Sequence, residues 1–210
     1  QDASPFVFLT LRFSLASILL WAAFRTRRAQ PAWPPPAAWR GGFYCGAALF
    51  LGYAFQTKGL LFTTASNSAF LTGLYIVLVP LLFSIVNKSV PGAGEVAGIL
   101  AALGGTLLLS MPAEGWAWNR GDVLTVACAM AFSMQIVAVG YWSRRMSIES
   151  LSLLQVVSVA VLSGAGMLWL ETPRILWSGR LGVVLLVTAV FATSLSFTLQ
   201  TWAQQQVTPT

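Results

Sequence analysis

Several polar side chains lie inside long apolar runs of this sequence, where they must bind something or pair with one another. Gln56, Gln135 and Gln200 each carry an amide group with two donor hydrogens and an acceptor oxygen. Arg12 is the only ionisable side chain well inside such a run. Because an unpartnered amide or charge is costly in an apolar environment, we expect each glutamine to face a cavity or a partner helix.

The reactive residue types favour binding over catalysis. The chain has no histidine, and its two aspartates, Asp2 and Asp122, lie at the ends of apolar runs. Neither a serine–histidine pair nor a pair of intramembrane aspartates can therefore be assembled, and we predict no catalytic residues and no enzyme activity. The cysteines, Cys45 and Cys128, lack the spacing of metal ligands, so we predict no metal and no cofactor.

Composition identifies the class of protein. Of the 210 residues, 57% are hydrophobic and 9% are charged, against about 25% charged in a soluble domain. The sequence therefore predicts an integral membrane protein with lipid as a partner. A net charge of +6 would suggest nucleic acid in a soluble protein. Here loop Lys and Arg residues that orient the chain in the membrane explain it, and we predict no nucleic-acid partner.

Seven runs are long and apolar enough to cross a bilayer as helices, and none alternates as the strands of a membrane barrel do. The predicted fold is an all-α, polytopic bundle of seven transmembrane helices. Their expected ranges are 6–24, 41–62, 66–86, 95–111, 122–142, 151–170 and 181–203.

Loop charges predict the orientation. If the loop after the first run is cytoplasmic, seven Lys and Arg residues fall on that side: Arg25, Arg27, Arg28, Arg40, Lys88, Arg144 and Arg145. The opposite side receives four, together with four acidic residues. This excess is typical of a cytoplasmic face.

The sequence also contains a weak internal repeat. A shift of 144 residues places Gln56-Thr57 on Gln200-Thr201, and places the first two runs close to the sixth and seventh. Five crossings separate the first run from the sixth, so the two copies are expected to have opposite orientations. Inverted repeats are typical of secondary transporters, whose substrate site lies between the repeats near the middle of the membrane.

With these features, the chain resembles the EamA-type members of the drug/metabolite transporter superfamily. The matching segments are Ser4–Phe13, Gly59–Tyr75, Val79–Leu82, Gly98 with Gly104 and Gly105, Gly121–Leu124 and Gln200–Gln204. The resemblance implies ten helices in two inverted five-helix repeats. This chain would carry helices two to eight, with the first repeat at 1–111 and a truncated second repeat at 112–210. The first helix and the last two would be missing.

The resemblance further implies a secondary transporter that moves small organic metabolites or drugs across the bacterial inner membrane. Export by alternating access is the expected mode. No aspartate, glutamate or histidine lies in mid-span to carry a coupling proton, so a facilitator remains an alternative. A non-transporting membrane scaffold or sensor is another. The sequence does not indicate the substrate or the oligomeric state.

Helical spacing places candidate substrate-binding residues on the faces that the family turns to its cavity. They are Tyr53, Gln56, Ser68, Thr72, Tyr75, Gln135, Thr193 and Gln200. Cys128 and Phe132 share the stripe of Gln135. For the Ser and Thr residues, ordinary hydrogen bonds between or within helices are the competing interpretation.

Other candidates have structural roles. Pro80 is expected to be a hinge, because proline leaves a helix carbonyl unpaired. Arg12 and Gln155, which occupy nearly repeat-related positions, are expected to be polar ties within the bundle. Asp122 is expected to cap a helix. Five glycines are expected to allow close helix packing: Gly98, Gly104, Gly105, Gly164 and Gly166.

Overall fold

The computed structural model describes residues 3–26, 34, 36–88, 90–110 and 118–207. All seven predicted runs are helical there, which confirms the all-α fold class. The helices are α1 Pro5–Arg25, α2 Pro36–Gly59, α3 Ala65–Gly73, α4 Tyr75–Asn87, α5 Ala93–Ser110, α6 Arg120–Trp142, α7 Ile148–Trp169, α8 Gly179–Ala189 and α9 Ser196–Gln206. A π-helical segment, Val190–Leu195, joins α8 to α9. Within the described ranges, extended pairing is limited to the isolated bridge between Ala3 and Ile175.

Among the described residues, five helical stretches are long and apolar enough to span a membrane: Pro5–Arg25, Ala65–Asn87, Arg120–Trp142, Ile148–Trp169 and Gly179–Gln206. Two of these contain an interruption. The Ala65–Asn87 span breaks at Leu74, between α3 and α4, and the Gly179–Gln206 span contains the π-helical segment. Both interruptions lie within predicted runs, since hydropathy alone does not detect a local change in helix type.

The chain forms two compact units. Unit 1 comprises the described residues of Gln1–Phe50 and Ala138–Thr208, and unit 2 those of Leu51–Val137. In unit 1, α1 packs along α7 and also contacts α8 and the π-helical segment, while α7 contacts α9. In unit 2, α5 packs against α3 and α4. Helices α2 and α6 contribute residues to both units. The repeat boundary at 111/112 remains a prediction.

Close packing in unit 1 depends on two glycines of α2 that face α7. A Cβ atom at Gly42 would overlap the side chain of Leu154. One at Gly46 would overlap the Cβ of Ser158 and lie 2.6 Å from the carbonyl oxygen of Gln155. The two helices can approach this closely only because both positions lack a side chain.

The predicted packing glycines behave differently from one another. On α5, a Cβ atom at Gly98, Gly104 or Gly105 would have no described atom within 4 Å, so the prediction was wrong for these three. On α7, a Cβ at Gly164 or Gly166 would lie 3.8 or 3.2 Å from a side chain of α1. Small size shows that a residue permits close packing, but the neighbouring element decides whether such packing occurs.

Contacts between helix ends agree with seven alternating crossings. In unit 1, the Ser4 hydroxyl before α1 donates to Glu171 Oε1 after α7 at 2.8 Å. In unit 2, the Thr63 hydroxyl after α2 donates to Asp122 Oδ1 at the start of α6 at 2.6 Å. Each pair joins ends that alternation assigns to the same side of the membrane.

Candidate functional site

Side chains from three helices of unit 2 meet in what we call the polar–aromatic cluster: Tyr53 and Gln56 of α2, Thr72 of α3, and Cys128 and Phe132 of α6. Gln56 Nε2 lies 3.5 Å from Thr72 Oγ1, a long hydrogen bond. The Cys128 thiol has hydrogen-bonding contacts with the Thr72 side chain and the Gln56 backbone. The rings of Tyr53 and Phe132 pack edge to face, with centroids 5.3 Å apart.

Local sequence explains how the helices present these groups. Tyr53 and Gln56 are three residues apart, and Cys128 and Phe132 are four apart, so each pair shares one face of its helix. Gly52 allows α2 and α6 to approach closely, because a Cβ atom at this position would overlap the ring of Phe132. The cluster thus combines an amide, a hydroxyl, a thiol and two aromatic rings.

The other predicted residues of unit 2 differ in how far they are exposed. Gln135 and Ser68 are buried, with 2% and 3% of their surface exposed. Tyr75 is 37% exposed at the first residue of α4, where the break at Leu74 interrupts its regular spacing from Ser68. Pro80 is buried within α4, six residues after that break. Its role as a hinge remains a prediction.

Unit 1 contains the predicted residues Arg12 and Thr193, which contact one another. Arg12 Nε donates to Thr193 Oγ1 at 2.8 Å, and its Nη2 donates to the carbonyl oxygen of Ala192 at 3.1 Å. Thr193 Oγ1 in turn donates to the carbonyl of Thr188, five residues earlier, at 3.0 Å. The contacts link the middle of α1 to the π-helical segment.

Two further predicted glutamines also belong to unit 1. Gln155 is fully buried on α7. Its backbone carbonyl oxygen is one of the atoms that a Cβ atom at Gly46 of α2 would contact. Gln200 is half-buried on α9, three residues after the buried Phe197 and next to the buried Thr201. Cavity lining by Thr193 and Gln200 remains a prediction from the sequence.

Asp122 lies in the first turn of α6 and forms a reciprocal pair of bonds with Asn119, the residue before the helix, so that it completes a capping box and is not itself the N-cap. Its Oδ2 accepts from the backbone N–H of Asn119 at 3.1 Å, and its own N–H donates to Asn119 Oδ1 at 3.1 Å. The same carboxylate accepts from the Thr63 hydroxyl, and Asp122 is fully buried. Gly121 is required beside it, because a Cβ there would lie 2.5 Å from the carbonyl oxygen of Gly59.

Glu171 performs a capping role that sequence reasoning missed. Its Oε1 accepts from the Ser4 hydroxyl and from the backbone N–H groups of Phe6 and Val7, at 2.8, 3.0 and 3.1 Å. A carboxylate thus satisfies the first turn of α1 from a loop 165 residues away in sequence. The available signal was the Ser-Pro start of α1, which lacks an acidic residue in its first turn.

A separate cleft of about 500 Å³ lies in unit 1, at the turn between α6 and α7. It is lined by Ser143, Arg144, Arg145, Met146, Ser147, Gln205 and Gln206. The Gln205 amide spans the turn, donating to the carbonyls of Ser143 and Met146 at 2.6 and 3.2 Å. None of the predicted substrate-binding residues lines this cleft.

Comparison with known proteins identifies the family. The model of the EamA-like transporter family matches residues 1–111. A curated protein of Archaeoglobus fulgidus, described as an uncharacterized transporter, is 35% identical over 205 residues, which are 97% of this chain and 62% of that protein. A solved crystal structure shares the fold, with a TM-score of 0.78 at 21% identity, and the match covers 96% of this chain and 70% of that one. The chain therefore spans less than two thirds of the length of its curated relative, and it belongs to the EamA-like transporter family.

Proposed function

We propose that this chain is part of a secondary transporter for small organic molecules, and that the polar–aromatic cluster contacts the substrate. The observation that carries the proposal is that predicted binding residues of α2 and α3 lie in contact with each other and with Cys128 and Phe132 of α6 in unit 2. Gln56, Thr72 and Tyr53 were predicted as binding residues from helical spacing together with the resemblance to EamA-type transporters. Family membership also supports transport.

The chemistry of the cluster suggests the class of substrate. Its amide, hydroxyl and thiol can exchange hydrogen bonds with a polar group, while the edge-to-face pair of Tyr53 and Phe132 offers an apolar surface. The 3.5 Å separation of Gln56 and Thr72 is a weak bond that a ligand can replace at low cost. Both features suit a small amphipathic molecule, with orientation supplied by a few polar groups.

The test begins with a panel of small amphipathic metabolites and drugs, screened for those that raise the melting temperature of the purified protein. Hits are then assayed for uptake into proteoliposomes. We expect Gln56→Ala and Thr72→Val each to weaken binding about tenfold, the effect of losing one hydrogen bond in an apolar site.

Gln206→Ala is the matched control, because Gln206 is an exposed glutamine at the end of α9. It should leave binding and uptake unchanged. If Gln56→Ala and Thr72→Val transport like the control, the cluster is not the binding site. If the unaltered protein neither binds nor moves any member of the panel, the proposed substrate class is wrong.

Localisation and direction extend the same proposal. We place the protein in the bacterial inner membrane as a multi-pass exporter working by alternating access, with the Arg144-Arg145 turn in the cytoplasm. Labelling of a cysteine introduced at Arg144 by an impermeant maleimide tests the orientation. Labelling in inverted membrane vesicles but not in intact cells is the expected result, and the reverse pattern would contradict it.

A further inference from the structure

One buried stripe runs the whole length of the Gly179–Gln206 span. Its residues are spaced by four throughout: Leu181, Leu185, Ala189, Thr193, Phe197 and Thr201, all buried. In a straight α-helix, side chains four apart are offset by about 40°, so five such steps would turn the stripe by about 200°. Leu181 and Thr201 would then face nearly opposite directions, yet both are buried.

The π-helical segment Val190–Leu195 lies in the middle of this stripe and counteracts the drift. Hydrogen bonds in a π-helix reach five residues back, so its turns are wider than those of an α-helix. Within the segment, the rotation between side chains four residues apart is therefore slightly less than a full turn. In an α-helix the same rotation is slightly more than a full turn. The local change of helix type returns Phe197 to the buried side, where its ring lies 6.4 Å from that of Phe13 on α1.

A π-helical segment has an energetic cost, because the change of bonding pattern removes regular partners from nearby carbonyl groups. Here side-chain donors contact carbonyl groups in and beside the segment. Arg12 Nη2 donates to the carbonyl of Ala192, and Arg12 Nε holds the Thr193 hydroxyl, which donates to the carbonyl of Thr188. The hydroxyl of Ser196 likewise donates to the carbonyl of Phe191, five residues back, at 3.1 Å.

We propose that Arg12 is a positioning residue that holds Val190–Leu195 in its π-helical form, and that this form determines which face of α9 is buried. A charged group bonded to both Ala192 and Thr193 stabilises the segment more than a neutral one can. A consequence concerns Gln200, one residue before the buried Thr201. If the segment became α-helical without loss of a residue, α9 would turn by about 100° and redirect that amide.

The test measures the exposure of cysteines placed on α9. In the protein carrying Thr201→Cys, the introduced thiol should react slowly with a small maleimide, because position 201 is fully buried. Adding Arg12→Met should speed this reaction about tenfold, the factor expected when one charge-assisted hydrogen bond no longer opposes local opening. Leu199→Cys, at a position 51% exposed, should not gain reactivity and serves as the control.

Deletion of Leu195 separates the proposed role from a simple tie between helices, because it keeps Ala192 and Thr193, the two residues that Arg12 contacts. Removing one residue converts the segment to a regular α-helix while keeping the buried face of α9 in place. In that background, Arg12→Met should change the reactivity of the thiol that replaces Thr201 less than threefold, against about tenfold with Leu195 present. Equal effects in both backgrounds would show that Arg12 only ties α1 to its neighbour, and would overturn the proposal.

Thr193→Val covers the case in which Arg12→Met does not fold, because valine keeps the shape of threonine and removes only the hydroxyl. It should raise the reactivity of the thiol at position 201 in the same direction, and Arg12→Lys should have an intermediate effect because lysine lacks the planar fork of donors. No change with Thr193→Val would also refute the mechanism. None of these readouts measures transport, so failure of the transport proposal leaves this test intact.

Discussion

Replacing Gly46 with alanine adds a methyl group where α2 and α7 are already in contact. The new Cβ would overlap the Cβ of Ser158 and lie 2.6 Å from the carbonyl oxygen of Gln155. A Cβ and a backbone oxygen cannot move away by rotation of a side chain, so the two helices must separate. Overpacking of this kind costs about 1–3 kcal/mol, more than the roughly 1 kcal/mol that alanine contributes as a better helix former than glycine.

Gly98→Ala is the matched control, since it makes the same chemical change within α5, where an added Cβ has no described atom within 4 Å. The change in stability then comes from helix propensity, and we expect the free energy of unfolding to rise by about 0.5–1 kcal/mol. The two substitutions should therefore shift stability in opposite directions.

Thermal unfolding of the purified protein in detergent, followed by circular dichroism, measures both changes. For a chain of this size, about 2–4 °C in melting temperature corresponds to 1 kcal/mol. Gly46→Ala should lower the midpoint by several degrees and Gly98→Ala should raise it slightly. A midpoint for Gly46→Ala equal to or above that of the unaltered protein would refute the close approach of α2 and α7.

Two further predictions concern carboxylates that cap helices. Glu171→Ala should lower stability by about 2 kcal/mol, because the first turn of α1 loses its acceptor and a charge of favourable sign. The comparison is Glu95 in the first turn of α5, an exposed residue whose Oε2 accepts from the backbone N–H of Gly92 at 3.0 Å. Glu95→Ala should cost less in the same melting assay, and equal losses would contradict this ranking. Asp122→Ala should cost about 2–3 kcal/mol, since it leaves the Thr63 hydroxyl and the Asn119 N–H without their acceptor. Asp122→Asn keeps one acceptor oxygen and should lose about half as much; no difference between the two substitutions would refute the dual contact.

The site was partly predictable, because helical spacing is a local property. Tyr53 with Gln56, and Cys128 with Phe132, share helix faces whatever surrounds them. The sequence did not show that Gln56 and Thr72 would meet, nor that the break at Leu74 would leave Tyr75 exposed. Those outcomes depend on how neighbouring helices pack, and spacing within one helix carries no information about its neighbour.

By itself, the sequence determined the membrane class, the seven helical runs and most of their boundaries. A long apolar stretch must satisfy its backbone groups internally in a lipid environment, and helix formation is the local solution. The capping role of Asp122 follows from local sequence in the same way.

Tertiary structure alone decided three features: the π-helical segment that Arg12 contacts, the capping of α1 by Glu171, and the choice of Gly42 and Gly46 over the glycines of α5 for close packing. Each is a contact between elements distant in the chain. Its free energy depends on which atoms oppose one another after packing, and no residue reveals that through its own type or its neighbours in sequence.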